Sequence, residues 1–502
     1  MTSSAALRRK TVFGALWTIG TSLGARVLGV VCTLALTWYL TPEQVGEVSA
    51  AIVVVFSANV FSTLGLGQYI VAKKDVDRGT VFQLTALYLG IGLVVILGSW
   101  AMGPFFAARL NAPTMTRFLP GIVVSVVVER LGFVPEKILL RNLEFRTQSL
   151  AKTGGELTYS LGSIGLAAFG FGGMSIVWAN VGRAFVRSGI CIAAVKRAEW
   201  LTPTRMSWTT LKGVLGFSIP TSIAASAAFA AGRWDNAFVA NLYSAEVMGL
   251  YERAYNLADL PADQIGEQLA DVLLPSFARM EGEQRRNALL RAIGVMSIII
   301  CPLAIGLGAV AHTLVATILR KEWLGVAPML AILAALSVVR PIGWLIASYF
   351  LAANKPRWTL GLELVKLFFL AISMYSLGRI GPLWACVAAG LAFAAQAVVA
   401  TWAVIRLDGG SYLAFAKRLL PPIVACVPMT AAVVGARTGL LAVGWHAGWK
   451  LLIVEIAIGA VAYVAGAFVL ARTLAFEVVD LVMEVVKRRR GGGTPSDPPP
   501  SR

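Results

Sequence analysis

Residues 292–318 read AIGVMSIIICPLAIGLGAVAHTLVATI, a stretch without aspartate, glutamate, lysine or arginine that follows Arg291 and precedes Arg320. A helix needs about 20 predominantly apolar residues to cross the hydrocarbon core of a bilayer, so this stretch is long enough. Thirteen further apolar stretches fill most of the chain. Helices satisfy their own backbone hydrogen bonds inside lipid, and these stretches are too long and too uniformly apolar for barrel strands.

We therefore predict an all-α polytopic membrane protein with about 14 transmembrane helices. The predicted spans lie near 12–38, 45–70, 81–104, 118–139, 153–171, 173–195, 211–234, 245–272, 292–318, 326–352, 359–377, 382–405, 419–436 and 450–472.

Composition agrees with this class. Of 502 residues 57% are hydrophobic and 14% are charged, whereas about 25% are charged in typical soluble domains. The apolar run from Thr11 to about Trp38 is too long for a signal peptide and has no A-x-A-like site after it. It is better interpreted as a first spanning helix held by Arg8, Arg9 and Lys10.

Basic residues alternate between the gaps that separate the spans. With the N-terminus inside, the inner gaps hold 27 lysines and arginines and the outer gaps hold 7. This bias predicts that both termini are cytoplasmic. It also accounts for the net charge of +18 without a nucleic-acid partner, because the basic residues lie in short loops.

Several chemistries are disfavoured. The five cysteines are scattered singly, only two histidines are present, and no P-loop, G-x-S-x-G or HExxH occurs. No gap between spans is long enough to hold a catalytic domain. We therefore expect no enzyme, no metal and no cofactor, with a coupling proton or sodium ion as the only ion to consider.

The chain carries a weak copy of itself at an offset of 203 residues. The segment 40–46, LTPEQVG, aligns with 243–249, YSAEVMG, and Trp17-Thr18 aligns with Pro220-Thr221. Each copy predicts a helix, a short outer turn, a glutamate and a glycine that opens the next helix. Six spans separate the copies, so they share one orientation, as in transporters built of parallel repeats.

The repeat predicts two pseudo-symmetric six-helix lobes, with the substrate at the interface between them. We expect the first lobe in residues 1–200, the second in 201–410, and two extra helices in 411–472. Residues 473–490 are predicted to form a cytoplasmic amphipathic basic helix, and the tail 491–502 is expected to be disordered from its composition.

Arginines inside the predicted spans are candidates for a binding site. An arginine at a helix centre costs about 2.5–3.5 kcal/mol, so it should face a wet cavity or a partner. Arg26 shares a helical stripe with Thr18, Ser22 and Thr33, and Arg233 ends a similar stripe in the second lobe; packing between helices is the alternative role for such stripes. Arginine also suits phosphate, because its planar fork donates two parallel hydrogen bonds. The further candidates are Arg130, Arg183, Arg187, Arg253 and Arg340.

One face of the eighth predicted span carries polar side chains spaced three or four residues apart: Glu252, Asn256, Asp259, Asp263, Glu267 and Asp271. Five carboxylates cannot face lipid. Either they line an aqueous cavity, with Asp259, Asp263 and Glu267 as candidates for ion coupling, or they pair with arginines. In a third interpretation, the acidic half lies near the inner surface beside the basic loop 279–291.

Two groups of residues resemble a known family. Trp17, Gly24, the segment 40–43 (LTPE) and Gly46 resemble the start of bacterial polysaccharide exporters and O-antigen repeat-unit flippases. The second copy is similar to the same family through three segments: Arg233-Trp234-Asp235, 248–255 (MGLYERAY) and 273–279 (LLPSFAR). These proteins belong to the multidrug/oligosaccharidyl-lipid/polysaccharide exporter superfamily, and the resemblance covers about residues 10–405.

The resemblance implies a fold, a function and a cellular place. The implied fold is two six-helix lobes around a central cavity, followed by two further helices. It implies a flippase that moves an undecaprenyl-diphosphate-linked oligosaccharide from the cytoplasmic to the outer leaflet of a bacterial inner membrane by alternating access. Only Arg233, Asp235 and Tyr251 carry over as matches to its motifs. A polysaccharide polymerase and a chain-length regulator are the implied partners, beside the lipid-linked oligosaccharide and membrane lipids.

Three other functions stay open from the residues. A drug or cation antiporter of the same superfamily would need a net acidic cavity, which the stripe of the eighth span allows. A peptidoglycan-precursor flippase is a related branch. A membrane glycosyltransferase, polymerase or ligase would usually need a large outer loop, and no such loop occurs here.

Overall fold

The computed structural model describes residues 24, 28–72, 77–205, 207–262, 266 and 268–490. Every regular element within these ranges is a helix, which confirms the all-α class. The α-helices are α1 (28–36), α2 (Pro42–Phe61), α3 (Leu66–Ala72), α4 (Arg78–Ala101), α5 (Gly103–Arg109), α6 (Leu119–Arg141), α7 (Phe145–Ala168), α8 (Met174–Ala194), α9 (Trp208–Leu242), α10 (Ala245–Ala262), α11 (Gln268–Phe277), α12 (Gly282–Ile318), α13 (Val326–Leu336), α14 (Arg340–Ala352), α15 (Pro356–Ser376), α16 (Pro382–Asp408), α17 (Tyr412–Ala442), α18 (Trp449–Leu470) and α19 (Arg472–Arg490).

Nine segments among the described residues are long and apolar enough to cross a membrane. They are α2, α4, α8, α12, α13 with α14, α15, α16, α17 and α18. The chain is therefore an integral membrane protein. The number of fourteen spans stays a prediction, since several of the remaining helices, such as α6 and α10, carry the intramembrane charges considered below.

The second predicted span begins earlier than expected and is broken. α2 begins at Pro42 because Thr41 caps it: the Thr41 hydroxyl accepts from the Gln44 N–H, and the Gln44 side chain accepts from the Thr41 N–H. The helix stops at Phe61, and α3 follows after a turn in which Leu64 and Gly65 have φ of 47° and 63°. The left-handed conformation at these residues is incompatible with a continuous helix.

Other boundaries also differ from the predicted ones. Within the predicted span 245–272 the structure describes α10 up to Ala262 and α11 from Gln268, and α11 continues to Phe277. α19 covers the predicted amphipathic segment, and Nη1 of Arg418 donates to the Glu477 carboxylate at 2.8 and 2.9 Å. The tail 491–502 lies outside the described residues, and the first predicted span is described continuously only from residue 28.

The described residues form two compact units. The first unit comprises those within Met1–Arg253, Ile318–Val326 and Lys366–Ala389, and the second comprises those within Ala254–Thr317, Ala327–Val365 and Gly390–Arg502. One core of the first unit joins α3, α4, α6 and α8 around Leu84, Ile138 and Cys191. The core of the second unit joins α12, α14, α16 and α17 around Ile300, Leu345 and Val404. The predicted lobe boundaries near residues 200 and 410 stay a prediction.

Candidate functional site

The first turns of α2 and α10 cross at two glycines in the first unit. A Cβ added at Gly46 would overlap the carbonyl of Ala245, and one added at Gly249 would overlap the carbonyl of Pro42. Gly46 and Gly249 are 203 residues apart, and so are Pro42 and Ala245. The two contacts are therefore equivalent: exchanging the two repeats turns one into the other, as in an interface with two-fold symmetry.

A hydrogen bond next to this crossing has the same offset. The Ser49 hydroxyl donates to Oε2 of Glu252. Ser49 is buried and Glu252 is half-buried. The first carboxylate of the acidic stripe thus contacts α2 instead of facing lipid.

Two loops in the first unit, residues 110–118 and 319–325, each bind the end of a helix from the other repeat, and we call them the exchanged loops. Nδ2 of Asn111 donates to the carbonyl of Asn241 at 2.9 Å, at the end of α9. Nη1 of Arg320 donates to the carbonyl of Trp38 at 2.8 Å, just beyond α1. Trp38 and Asn241 are again 203 residues apart. Each repeat therefore supplies a loop that ties down the first helix of the other.

Arg253 is the arginine candidate on α10, and it is buried. The residue is 5% exposed, Nη1 donates to the carbonyl of Thr33 at 2.8 Å, and the guanidinium lies 5.2 Å from the ring centroid of Trp323. Nε of Arg253 is buried without a hydrogen-bond partner among the described residues. A buried N–H without an acceptor costs about 1–3 kcal/mol, more for a charged group, so this position favours an anionic acceptor.

The three residues carried over from the family motif have different surroundings. The Tyr251 hydroxyl donates to Oδ2 of Asp235 at 3.0 Å, and both side chains are buried, so the pair joins α10 to α9. Oδ1 of Asp235 accepts from the backbone N–H of Asn236 at 2.9 Å. Arg233 is exposed, and its side chain forms no ion pair with a described carboxylate.

Arg130 is buried, and its hydrogen bonds all go to protein groups. Nε donates to Oδ1 of Asn59 at 2.9 Å, Nη1 to the carbonyl of Tyr88 at 2.6 Å, and Nη2 to the carbonyl of Asn59 at 3.1 Å and to the Ser62 hydroxyl. The carbonyl of Asn59 is one of the last in α2, and it also accepts from the Ser62 N–H at 3.1 Å. Arg130 therefore stabilises the break between α2 and α3.

Arg183 and Arg187 pair with carboxylates of neighbouring helices. Nη2 of Arg187 lies 2.8 Å from Oε2 of Glu136. Arg183 lies 3.5 Å from Glu156 and 3.9 Å from Glu129. These pairs join α8 to α6 and α7, and they leave little net positive charge for a ligand at these two positions.

Arg340 belongs to the second unit and pairs with Asp259. Its guanidinium also lies 4.3 Å from the ring centroid of Tyr255 and 4.0 Å from that of Phe393. The side chains of Arg340 and Asp259 are 9% and 17% exposed. Of the roles considered for the acidic stripe, pairing with an arginine is the one that the structure gives Asp259.

Three candidates cannot be placed. Arg26, Asp263 and Glu267 lie outside the described residues, so their roles in binding and ion coupling stay predictions. In the part of the chain that the structure describes, no group of three histidine, cysteine or acidic side chains is arranged to hold a metal ion.

Sequence reasoning missed Trp323 and Asn111. Trp323 is fully buried, and its Nε1 donates to the carbonyl of Leu40 at 3.1 Å while its ring faces Arg253. The available signal was a tryptophan within a short, otherwise charged outer loop. Asn111 had no signal in the sequence, because a lone polar residue in a loop is ordinary.

Comparison with known proteins places these features in a family. The model of a family described as "Polysaccharide biosynthesis protein" matches residues 35–328. The lipopolysaccharide biosynthesis protein WzxC of Escherichia coli (strain K12) is 23% identical over 70% of this chain and 71% of its own length. The succinoglycan biosynthesis transport protein ExoT of Rhizobium meliloti (strain 1021) is 23% identical over 63% of this chain and 64% of its own length.

A solved structure has a similar fold. The lipid II flippase MurJ in an inward closed conformation superposes with a TM-score of 0.74 at 13% identity, over 91% of this chain and 99% of that chain. At this identity the likeness concerns the fold alone.

Proposed function

Since the chain belongs to the polysaccharide biosynthesis protein family, within the multidrug/oligosaccharidyl-lipid/polysaccharide exporter superfamily, we propose that it is a lipid-linked oligosaccharide flippase. It moves an undecaprenyl-diphosphate-linked repeat unit from the cytoplasmic to the outer leaflet of the bacterial inner membrane. The repeat unit is then used for exopolysaccharide, capsule or O-antigen assembly. WzxC and ExoT, whose names refer to lipopolysaccharide biosynthesis and succinoglycan transport, support the substrate class.

The observation that carries the proposal is the buried guanidinium of Arg253. It has an N–H without an acceptor among the described residues, and no described carboxylate forms an ion pair with it. A diphosphate offers the anionic oxygens that a guanidinium prefers. The glycan of such a substrate occupies water, and its long apolar tail stays in lipid.

Alternating access is the mechanism that the repeats favour. The crossing of α2 and α10 and the two exchanged loops lie at the outer end of the first unit in the orientation given by the charge bias. Closing and opening at a two-fold contact lets both repeats move by the same rearrangement. Both termini are cytoplasmic in this proposal, and a polymerase and a chain-length regulator act on the product.

A deletion strain tests the function. We expect lipid-linked oligosaccharide to accumulate in the inner leaflet and surface polysaccharide to be lost, with both restored by the plasmid-borne gene. The leaflet is assigned by the access of an impermeant glycan-modifying enzyme to spheroplasts. Accumulation in the outer leaflet would contradict a flippase and favour a defect in polymerisation. Normal glycan with altered drug tolerance would favour the antiporter.

Substitution of the arginines tests the site. We expect Arg253→Gln and Arg233→Ala to lower glycan export by about tenfold or more at unchanged protein level, because a hydrogen bond to a charged group is worth about 1.5–3 kcal/mol. Arg379→Ala is the control, since Arg379 is exposed and lies over the ring of Tyr375. Export at the normal level in both test variants would remove these arginines from the site. Arg26 is a further candidate for the same substitution.

Ion coupling through the acidic stripe is tested at Asp259. We expect Asp259→Asn to alter the dependence of transport on an imposed proton or sodium gradient in proteoliposomes. Glu136→Gln is the control, because Glu136 also pairs with an arginine, Arg187, but lies on α6, outside the acidic stripe. If Asp259→Asn keeps the normal gradient dependence, the Arg340–Asp259 pair is structural only.

A further inference from the structure

The first unit holds an apolar groove between α2, α4, α5 and α9. Its volume is about 630 Å³, within the range of about 300–1,000 Å³ that is usual for ligand pockets. Its wall is almost entirely apolar and includes the rings of Phe61, Phe105 and Trp234, with Gly98 on α4. The groove is separate from the buried Arg253, which does not line it.

The two ends of the groove differ, since the rings of Phe61 and Trp234 line one end and an arginine lines the other. Its α2 wall runs from Val53 to Phe61, which at about 1.5 Å per residue is about 12 Å along the helix. Phe61 packs against Trp234 with ring centroids 6.0 Å apart. Arg109 lines the groove from the end of α5, in a gap that the charge bias assigns to the outer face.

Among the described residues that line the groove, Arg109 is the one with a cationic side chain. It is exposed, and no described carboxylate forms an ion pair with it. The carbonyl of Arg109 accepts from Nδ2 of Asn241 at 2.6 Å, which fixes the backbone at this end of α5. An arginine with a fixed backbone at the end of an apolar groove is complementary to an anion joined to a hydrocarbon chain.

We propose that this groove binds an anionic glycerophospholipid of the outer leaflet. The phosphate lies on Arg109, and one acyl chain lies along α2 towards Phe61. Such a lipid matches the order of the lining residues, with its anion at the interface and its chain pointing inward. The site is separate from the transport site and does not depend on the proposed function.

Native mass spectrometry of the full chain in detergent tests the binding. Palmitoyl-oleoyl phosphatidylglycerol is titrated against phosphatidylcholine with the same chains. We expect preferential binding of phosphatidylglycerol that is about tenfold weaker in Arg109→Gln, since a charge-assisted hydrogen bond is lost. Arg117→Gln is the matched control, because Arg117 is exposed in the same gap but does not line the groove.

A second pair of variants fills the groove without removing charge. Gly98 lines the groove and Gly90 does not, and a Cβ at either position meets nothing within 4 Å. We expect Gly98→Leu to reduce binding of phosphatidylglycerol and Gly90→Leu to leave it unchanged. Equal binding of the two lipids, or equal effects within either pair, would overturn the proposal. Displacement of phosphatidylglycerol by a lower concentration of undecaprenyl phosphate would also overturn it and assign the groove to the carrier lipid.

Discussion

Replacing Gly46 with alanine is expected to open the crossing of α2 and α10 and to abolish most glycan export. The new methyl group would overlap the carbonyl of Ala245, so the two helices must separate. Overpacking of this kind costs about 1–3 kcal/mol, which is roughly five- to 150-fold in the population of the closed arrangement. Gly249→Ala should have the same effect, because its methyl group would overlap the carbonyl of Pro42.

Labelling of a cysteine at Ser49 measures this opening. All five native cysteines are buried, so the background reaction with an impermeant maleimide is expected to be low. We expect faster labelling of Ser49→Cys from the outside when Gly46→Ala is present. Gly90→Ala serves as the control, since a Cβ at Gly90 meets nothing within 4 Å. The same labelling rate and export in the Gly46 and Gly90 variants would contradict the crossing.

Replacing Arg340 with glutamine is expected to destabilise the protein strongly. Removal of one partner of a buried ion pair costs about 3–5 kcal/mol, because the other charge is left uncompensated. The double variant Arg340→Gln with Asp259→Asn should recover part of this loss, since no unpaired carboxylate remains. Thermal unfolding of the purified variants measures the effect, and unchanged stability in Arg340→Gln would contradict the pair.

The helical class could be predicted because apolar runs and basic gaps are local properties of the sequence. The offset of 203 was also visible in the sequence, but the contact between Gly46 and Gly249 was not, because a repeat does not show which helices touch. The break after Phe61 was missed, because Ser62–Gly65 interrupts α2 and α3 without changing the apolar character of the run. Hydropathy alone does not distinguish a continuous span from a broken one.

The arginine site was harder to predict, since a sequence does not show which charges pair. Arg183, Arg187 and Arg340 looked alike as intramembrane cations, yet each lies beside a carboxylate. Arg130 instead donates to the side chain and the carbonyl of Asn59, at the end of the broken helix. Only tertiary contacts, such as that between Arg253 and the carbonyl of Thr33, separate these roles.

The exchanged loops constrain how the chain assembles during synthesis. Arg320 and Trp323 bind carbonyls 282 and 283 residues earlier in the chain. The ribosome therefore completes the first helix long before its binding loop exists, and contacts of such sequence separation form late. If the two repeats were expressed as separate chains, the two halves would have to meet in the membrane before either exchanged loop could bind the first helix of the other repeat.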